Sequence, residues 1–191
     1  MAKILAFAGS SRTDSFNRKL IAIAAQGAQE AGAEVTLIDL RDYPMPIFDQ
    51  DYEAEQGMPD HARQFKRHLM RSDGVLISSP EYNSGYSGLL KNCIDWASRS
   101  EAPDEKPLVA FGGKCVALMS ASPSGLGGIR GLVSLRMLLG NLGMTVLPGQ
   151  VAVSNAMNAF NEAGQLADEK QQRAIMNLGI NLTATLNKLN G

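Results

Sequence analysis

Apolar and polar positions along this chain fall into blocks of two alternating kinds. Ile4-Leu-Ala-Phe-Ala8 is a continuous apolar run ending in Gly9-Ser-Ser11, the pattern of a strand buried on both faces and followed by a sharp turn. Behind it, Leu20, Ile21, Ala24, Ala28 and Ala31 recur at helical spacing until Gly32, a natural helix stop. Val35–Ile38 reads as a second strand. The pattern then repeats: a helix from about Pro59 to Arg71, strand Val75–Ser78, a helix from about Ser87 to Ser98, and strand Cys115–Met119. A helix from about Leu126 to Leu142, strand Thr145–Val153 and a long helix from about Leu166 to Leu189 complete it. Short strands without a polar face, alternating with helices, predict an α/β three-layer sandwich whose parallel sheet is covered on both sides. Of the two common doubly wound strand orders, the five-stranded 2-1-3-4-5 suits the count better than a six-stranded sheet.

One connection is long: residues 41–58, rich in Pro, Asp and Glu and stiffened by Pro44 and Pro46. It reads either as a solvated loop or as a lid or dimer contact, since structureless connections above ~12–15 residues are uncommon. Length and a 45% hydrophobic content fit a single domain spanning residues 1–191. With 18 Lys+Arg against 19 Asp+Glu, net charge gives no support to a nucleic-acid or anionic-membrane partner. Cys93 and Cys115 lack C-x-x-C spacing and read as buried small apolar residues. The N-terminal apolar run is too short for a signal peptide, and no stretch approaches the ~18 apolar residues of a membrane helix. A soluble, cytoplasmic protein is expected.

In an open parallel sheet, ligands bind beyond the carboxyl ends of the strands where the chain order reverses, which directs attention to three loops. The first, Gly9-Ser-Ser-Arg-Thr-Asp-Ser-Phe-Asn17, runs into a helix. Its hydroxyls, the Arg12 guanidinium and the N–H groups at the helix start suit a phosphomonoester, although the same residue types also serve as helix N-caps without any ligand. Neither G-x-x-x-x-G-K-[ST] nor G-x-G-x-x-G is present. Gly113-Lys114 has Leu108 and Cys115 where the former needs Gly and a hydroxyl, and Gly125-Leu-Gly127 meets Arg130 where the latter needs Gly. The second loop, Ser78–Gly88, combines Pro80, aromatics Tyr82 and Tyr86, and glycines, so its main chain could lie along a flat ring. The third, Ser120–Gly128, again sets small residues before a helix.

Together, Gly9-Ser-Ser-Arg12 with Ser15-Phe-Asn17, Pro80-Glu-Tyr-Asn83 with Gly88-Leu-Leu-Lys-Asn92 and Ile94-Asp-Trp96, and Ser122-Pro-Ser-Gly-Leu-Gly-Gly128 closely resemble the NADPH-dependent FMN reductase family over residues 3 to 153. The resemblance implies a flavodoxin-like fold and an FMN-containing oxidoreductase. Hydride would pass from NADPH or NADH through flavin N5 to a small-molecule acceptor such as a quinone, azo compound, chromate or free flavin. The alternative it leaves open is a flavodoxin-type electron carrier that does not oxidise NAD(P)H. By position, Ser10, Arg12, Ser15 and Asn17, with the backbone of Phe16, would hold the FMN phosphate. Pro80, Glu81, Tyr82 and Asn83 would line the isoalloxazine, and Ser120 would lie close by. Relatives form homodimers or homotetramers, so the resemblance implies one of these. The chain departs from the family pattern at Ser87, where proline is usual, and at Tyr86, where an aliphatic residue is common.

The flavin carries the redox chemistry in such a protein, so no catalytic side chain is required. His61 and His68, seven apart on a charged helix, read as solvated; with neither H-E-x-x-H nor G-x-S-x-G, no metal site or serine hydrolase is expected. Trp96 reads as core or subunit contact, Lys91 and Asp95 as a helix ion pair. Met137 and Met144, with Leu135, Leu138 and Leu139, read as core around the fourth helix.

Overall fold

The structure is a computed structural model and describes residues 1–190. Its strands are β1 (Lys3–Ala8), β2 (Glu34–Ile38), β3 (Gly74–Ser78), β4 (Cys115–Ala121) and β5 (Thr145–Val153). They form one parallel sheet in the order β2-β1-β3-β4-β5. The helices are α1 (Phe16–Glu30), α2 (Gln50–Gln56), α3 (Asp60–Arg71), α4 (Gly88–Ala97), α5 (Ile129–Asn141), α6 (Ala156–Ala159) and α7 (Glu169–Asn190). A flavodoxin-like α/β fold with the expected strand order results.

Alternation of side chains along each strand divides the core in two. Ile4, Ala6 and Ala8 of β1, with Ala117 and Met119 of β4, face α1 and α7. Leu5, Phe7, Val75, Ile77, Val116 and Leu118 face α3, α4 and α5. The first layer is tight enough for backbones to touch. A Cβ placed on Gly179 of α7 would come within 2.1 Å of the Ala24 carbonyl oxygen, and one on Gly27 of α1 within 2.2 Å of that of Met176. Close approach, rather than backbone freedom, requires both glycines.

The strands are not uniformly buried. β2 and β5 are the sheet edges and stay partly exposed, because an edge strand lacks a neighbour on one side. β5 bears Pro148 next to a break in register opposite Val116 and Leu118, a position an edge strand tolerates. Arg136 of α5 bonds the carbonyls there, with Nη1 2.8 Å from the Leu147 oxygen.

Residues 41–58 are largely exposed but not structureless. They fold onto α3 and α4 and include α2, which Asp49 caps by accepting from the Asp51 and Tyr52 N–H groups. Pro46 O accepts from Asn92 Nδ2 at 2.9 Å and Trp96 Nε1 at 2.8 Å, while Phe48 N–H donates to Asn92 Oδ1 at 2.7 Å. Phe48 packs edge-on against Trp96, which is fully buried, and Arg99 pairs with Glu53 at 2.8 Å. Trp96 is therefore core, and the Lys91–Asp95 pair forms at 2.6 Å.

Two other expectations need correction. Met137 is 68% exposed on the outer face of α5, whereas Leu135, Leu139 and Met144 are buried. Helical spacing brings a methionine near a face but does not decide whether anything covers it. His68 is half-buried rather than solvated: its Nε2 lies 2.9 Å from the Tyr43 hydroxyl, and burial, then the charge of Arg71, push its pKa down.

Candidate functional site

The carboxyl ends of β1, β3 and β4 meet where the strand order reverses, and the loops leaving them surround a small cavity of about 140 Å³. Ser10, Arg12, Ser15, Phe16 and Asn17 form its first wall. Pro80, Glu81 and Tyr82 form the second, and Ala121, Ser122 and Pro123 the third.

The first wall is a helix start with spare donors. Ser15 is the N-cap of α1, in extended backbone conformation, and its hydroxyl oxygen accepts from the Arg18 N–H. Phe16 and Asn17 occupy the first turn, where helix geometry offers their N–H groups no acceptor. The Ser10 hydroxyl accepts from the Arg12 N–H at 3.4 Å. Hydroxyls, a guanidinium and free N–H groups at a positive helix end make a donor set that suits a phosphate dianion.

Asn17 lines the cavity, but its side-chain amide is engaged with the protein. Its Nδ2 donates to Ala121 O at 2.9 Å, and its Oδ1 accepts from Ser78 Oγ at 2.9 Å and Ala121 N at 3.0 Å. The buried amide thus ties the start of α1 to the ends of β3 and β4, leaving its backbone N–H for a ligand. A second tie joins the first two loops: Ser87 Oγ donates to Gly9 O at 2.5 Å and accepts from Leu90 N–H at 3.1 Å, capping α4 without the usual proline.

The second wall turns on residues 82–85. Tyr82 and Gly85 exchange two backbone hydrogen bonds, of 2.8 and 3.0 Å. Asn83 (φ 52°) and Ser84 (φ 68°) between them both lie in the left-handed region, as a type I′ turn requires. Asn83 therefore sits at the turn tip, outside the cavity lining, while Pro80, Glu81 and Tyr82 reach it. The Glu81 side chain points to the start of α5, accepting from Arg130 Nη2 at 2.8 Å and Gly131 N–H at 3.1 Å. Burial alone would push its pKa up. The Gly131 N–H and the Arg130 guanidinium outweigh burial and hold the carboxyl below the usual range.

The third wall begins at Ala121. Ser120 is fully buried beneath it, with no hydrogen-bond partner for its hydroxyl among the described residues. Gly128 (φ 92°) covers that hydroxyl so closely that a Cβ there would lie 2.0 Å from Ser120 Oγ. Ala121, Ser122 and Pro123, the residues that do form the wall, had a legible signal: they end β4 and continue the third small-residue loop.

A larger cavity of about 650 Å³ opens on the other side of the first loop, between α1 and the end of β2, and shares Ser15 with the smaller one. Two of its charged groups, Arg18 and Asp39, pair with each other. Asp39 lies 2.8 Å from both Arg18 and Arg41, and Arg18 Nη1 donates to Thr13 O at 3.1 Å. Burial acts to raise the Asp39 pKa, but its bonds from Arg41 and the charge of Arg18 outweigh it and hold the group low. Cys93 is buried far from chemistry, its thiol pushed up to about 12 by desolvation.

Comparison with known proteins agrees with this fold. The model of the NADPH-dependent FMN reductase family matches residues 2–158. An NAD(P)H-dependent FMN reductase of Pseudomonas aeruginosa is 35% identical over 174 residues, 91% of this chain and 89% of that protein. A quinone reductase of Pseudomonas putida is 33% identical over 162 residues, covering 84% of this chain and 82% of the other. Among solved structures, FerB, a flavoenzyme NAD(P)H:(acceptor) oxidoreductase from Paracoccus denitrificans, superposes with a TM-score of 0.81 at 26% identity over 98% of each chain. The chain belongs to the NADPH-dependent FMN reductase family.

Proposed function

We propose that residues 1–191 act as one FMN-binding unit that oxidises NAD(P)H and reduces a small quinone-type acceptor. The observation that carries this reading is the donor set of the small cavity: Ser10, Arg12, Ser15 and the first-turn N–H groups of Phe16 and Asn17 converge there, while the carboxylate of the lining, Glu81, is taken up by Arg130 and the Gly131 N–H. When bound, FMN supplies the hydride relay between nicotinamide and acceptor. The chain's own part is to bind and orient. The first wall would hold the phosphate, and the main chain of Pro80–Tyr82 would lie along the ring opposite Ala121–Pro123. At about 140 Å³ the cavity is smaller than the ~300–1,000 Å³ that encloses a whole ligand, so part of the ring would stay open to a second reactant. Met137, Val133 and Leu126 leave an exposed apolar row along and before α5, which supports a homodimer or homotetramer.

The test is optical. Protein loaded with FMN and freed of excess should be yellow and should bleach when NADPH or NADH is added anaerobically, and a quinone should restore the colour. Stable FMN binding without bleaching by either nucleotide would instead identify an electron carrier.

A further inference from the structure

Four side chains beside the small cavity form a single stack. The Arg12 guanidinium carbon lies 4.9 Å from the centroid of the Phe16 ring. The rings of Phe16 and Phe160 are 6.0 Å apart and within 8° of parallel. Lys19 Nζ closes the far end, 5.8 Å from the Phe160 centroid. Phe16 is also the first residue of α1, so whatever holds its ring in place holds its backbone N–H as well. Phe160 lies beyond residues 2–158, outside the segment the family model matches, and it does not line the cavity.

The backbone around Phe160 is tied down. Phe160 bridges Leu166, which is buried, and Ala167 N–H donates to Ala159 O at 2.9 Å. Asn161 closes the turn between them, its N–H donating to Gln165 O at 2.9 Å and its Oδ1 accepting from Gln165 N–H at 3.0 Å. The preceding residues are fastened to the cavity's third wall: Ala156 N–H donates to Ser122 O at 3.1 Å, and Asn155 N–H to Ser124 O at 3.3 Å. One rigid segment therefore connects the third wall to the stack behind the first.

We propose that Phe160 is a positioning residue for the phosphate end of FMN, acting through Phe16 on Arg12 and on the first-turn N–H groups. Arg12 is exposed, and a long side chain free in solvent loses rotamer freedom when it grips an anion. A planar guanidinium already resting on a ring and donating to the Asp14 carbonyl loses less, and Phe160, stacked against that ring, helps hold it in place. The contribution falls on the phosphate and not on the isoalloxazine, since Phe160 stacks on Phe16 of the first wall and does not itself line the cavity. This inference rests on the reading that the small cavity takes FMN.

The experiment is a pair of titrations, FMN and riboflavin, into the apoprotein of the wild type, Phe160→Leu, Phe160→Met and Phe160→Tyr. Wild-type protein preferring FMN over riboflavin supports the site itself, and absence of that preference overturns the site reading rather than the role of Phe160. Given the preference, Phe160→Leu and Phe160→Met are expected to weaken FMN about fivefold while moving riboflavin less than about twofold. Phe160→Tyr, which keeps a ring face, restores FMN binding to within about twofold of wild type. In an Arg12→Ala background, Phe160→Leu should lose most of its effect on FMN, because two residues acting through one contact are not additive. An unchanged FMN-to-riboflavin ratio in Phe160→Leu and Phe160→Met overturns the proposal. So does an equal loss for both ligands, which would mark Phe160 as part of the general packing only.

Discussion

The larger and the smaller cavity meet at Ser15 and differ in where their polar groups direct their hydrogen bonds. Beside the larger, Arg18, Arg41 and Asp39 satisfy one another, and Tyr43 meets His68. In the smaller, the first-turn N–H groups and the Arg12 guanidinium keep donors to spare, while the side chains that could compete for them are engaged elsewhere: Asn17 with Ser78 and Ala121, Glu81 with Arg130. Volume alone would choose the larger one. An anion site is recognised by unpaired donors, because a charge already paired has little to gain from a ligand.

The largest expected effect removes both cavities together, since α1 supplies a wall to each. Gly179→Ala places a methyl group against the α1 backbone at Ala24 and should destabilise the fold by about 3 kcal/mol. For a chain of this length that is a fall in melting temperature of roughly 6–12 °C, read by thermal unfolding. Next, Arg12→Ala should weaken FMN by about 1.5–3 kcal/mol, the value of a charge-assisted hydrogen bond, and hardly affect riboflavin. Asp39→Asn, in the larger cavity, should leave the FMN dissociation constant within about twofold. If calorimetry gave the opposite ranking, the assignment of phosphate to the smaller cavity would fail.

A third measurement compares the two carboxylates. Both Glu81 and Asp39 are held below their ordinary values. Each therefore contributes stability that is full above the ordinary carboxylate range and lost as pH falls through its depressed folded value. Melting temperature against pH should show a shallower acid limb in Glu81→Gln than in the wild type, by a fraction of a kcal/mol after solvent screening. The smallest effect concerns the turn beside the smaller cavity. Ser84→Gly relieves a left-handed serine next to Asn83 and should stabilise by at most about 1 kcal/mol, measured by urea unfolding.

Much of this fold was legible because strands and helices repeat with different periods. The run Ile4–Ala8 and the spacing of Leu20, Ile21, Ala24 and Ala28 each admit one good burial geometry. Helix α2 was not legible. Its sequence Gln-Asp-Tyr-Glu-Ala-Glu-Gln has no apolar face, and it is held by the Asp49 cap, the Glu53–Arg99 pair and Tyr52 against Trp96. Met137 shows the reverse case, an apolar side chain at core spacing with nothing packed over it.

The amino-acid order alone determined the strand sequence and the loops of the candidate site through local periodicity, and pointed to most residues of its first two walls through short motifs that resemble the family's. It could not tell which of Asn17's groups remain free, that Ser120 lies under the third wall rather than in it, or that Phe160 backs Phe16 from 144 positions further along the chain. Those depend on contacts between segments distant in sequence. A donor's availability is decided only once packing has settled which acceptors come within reach of it.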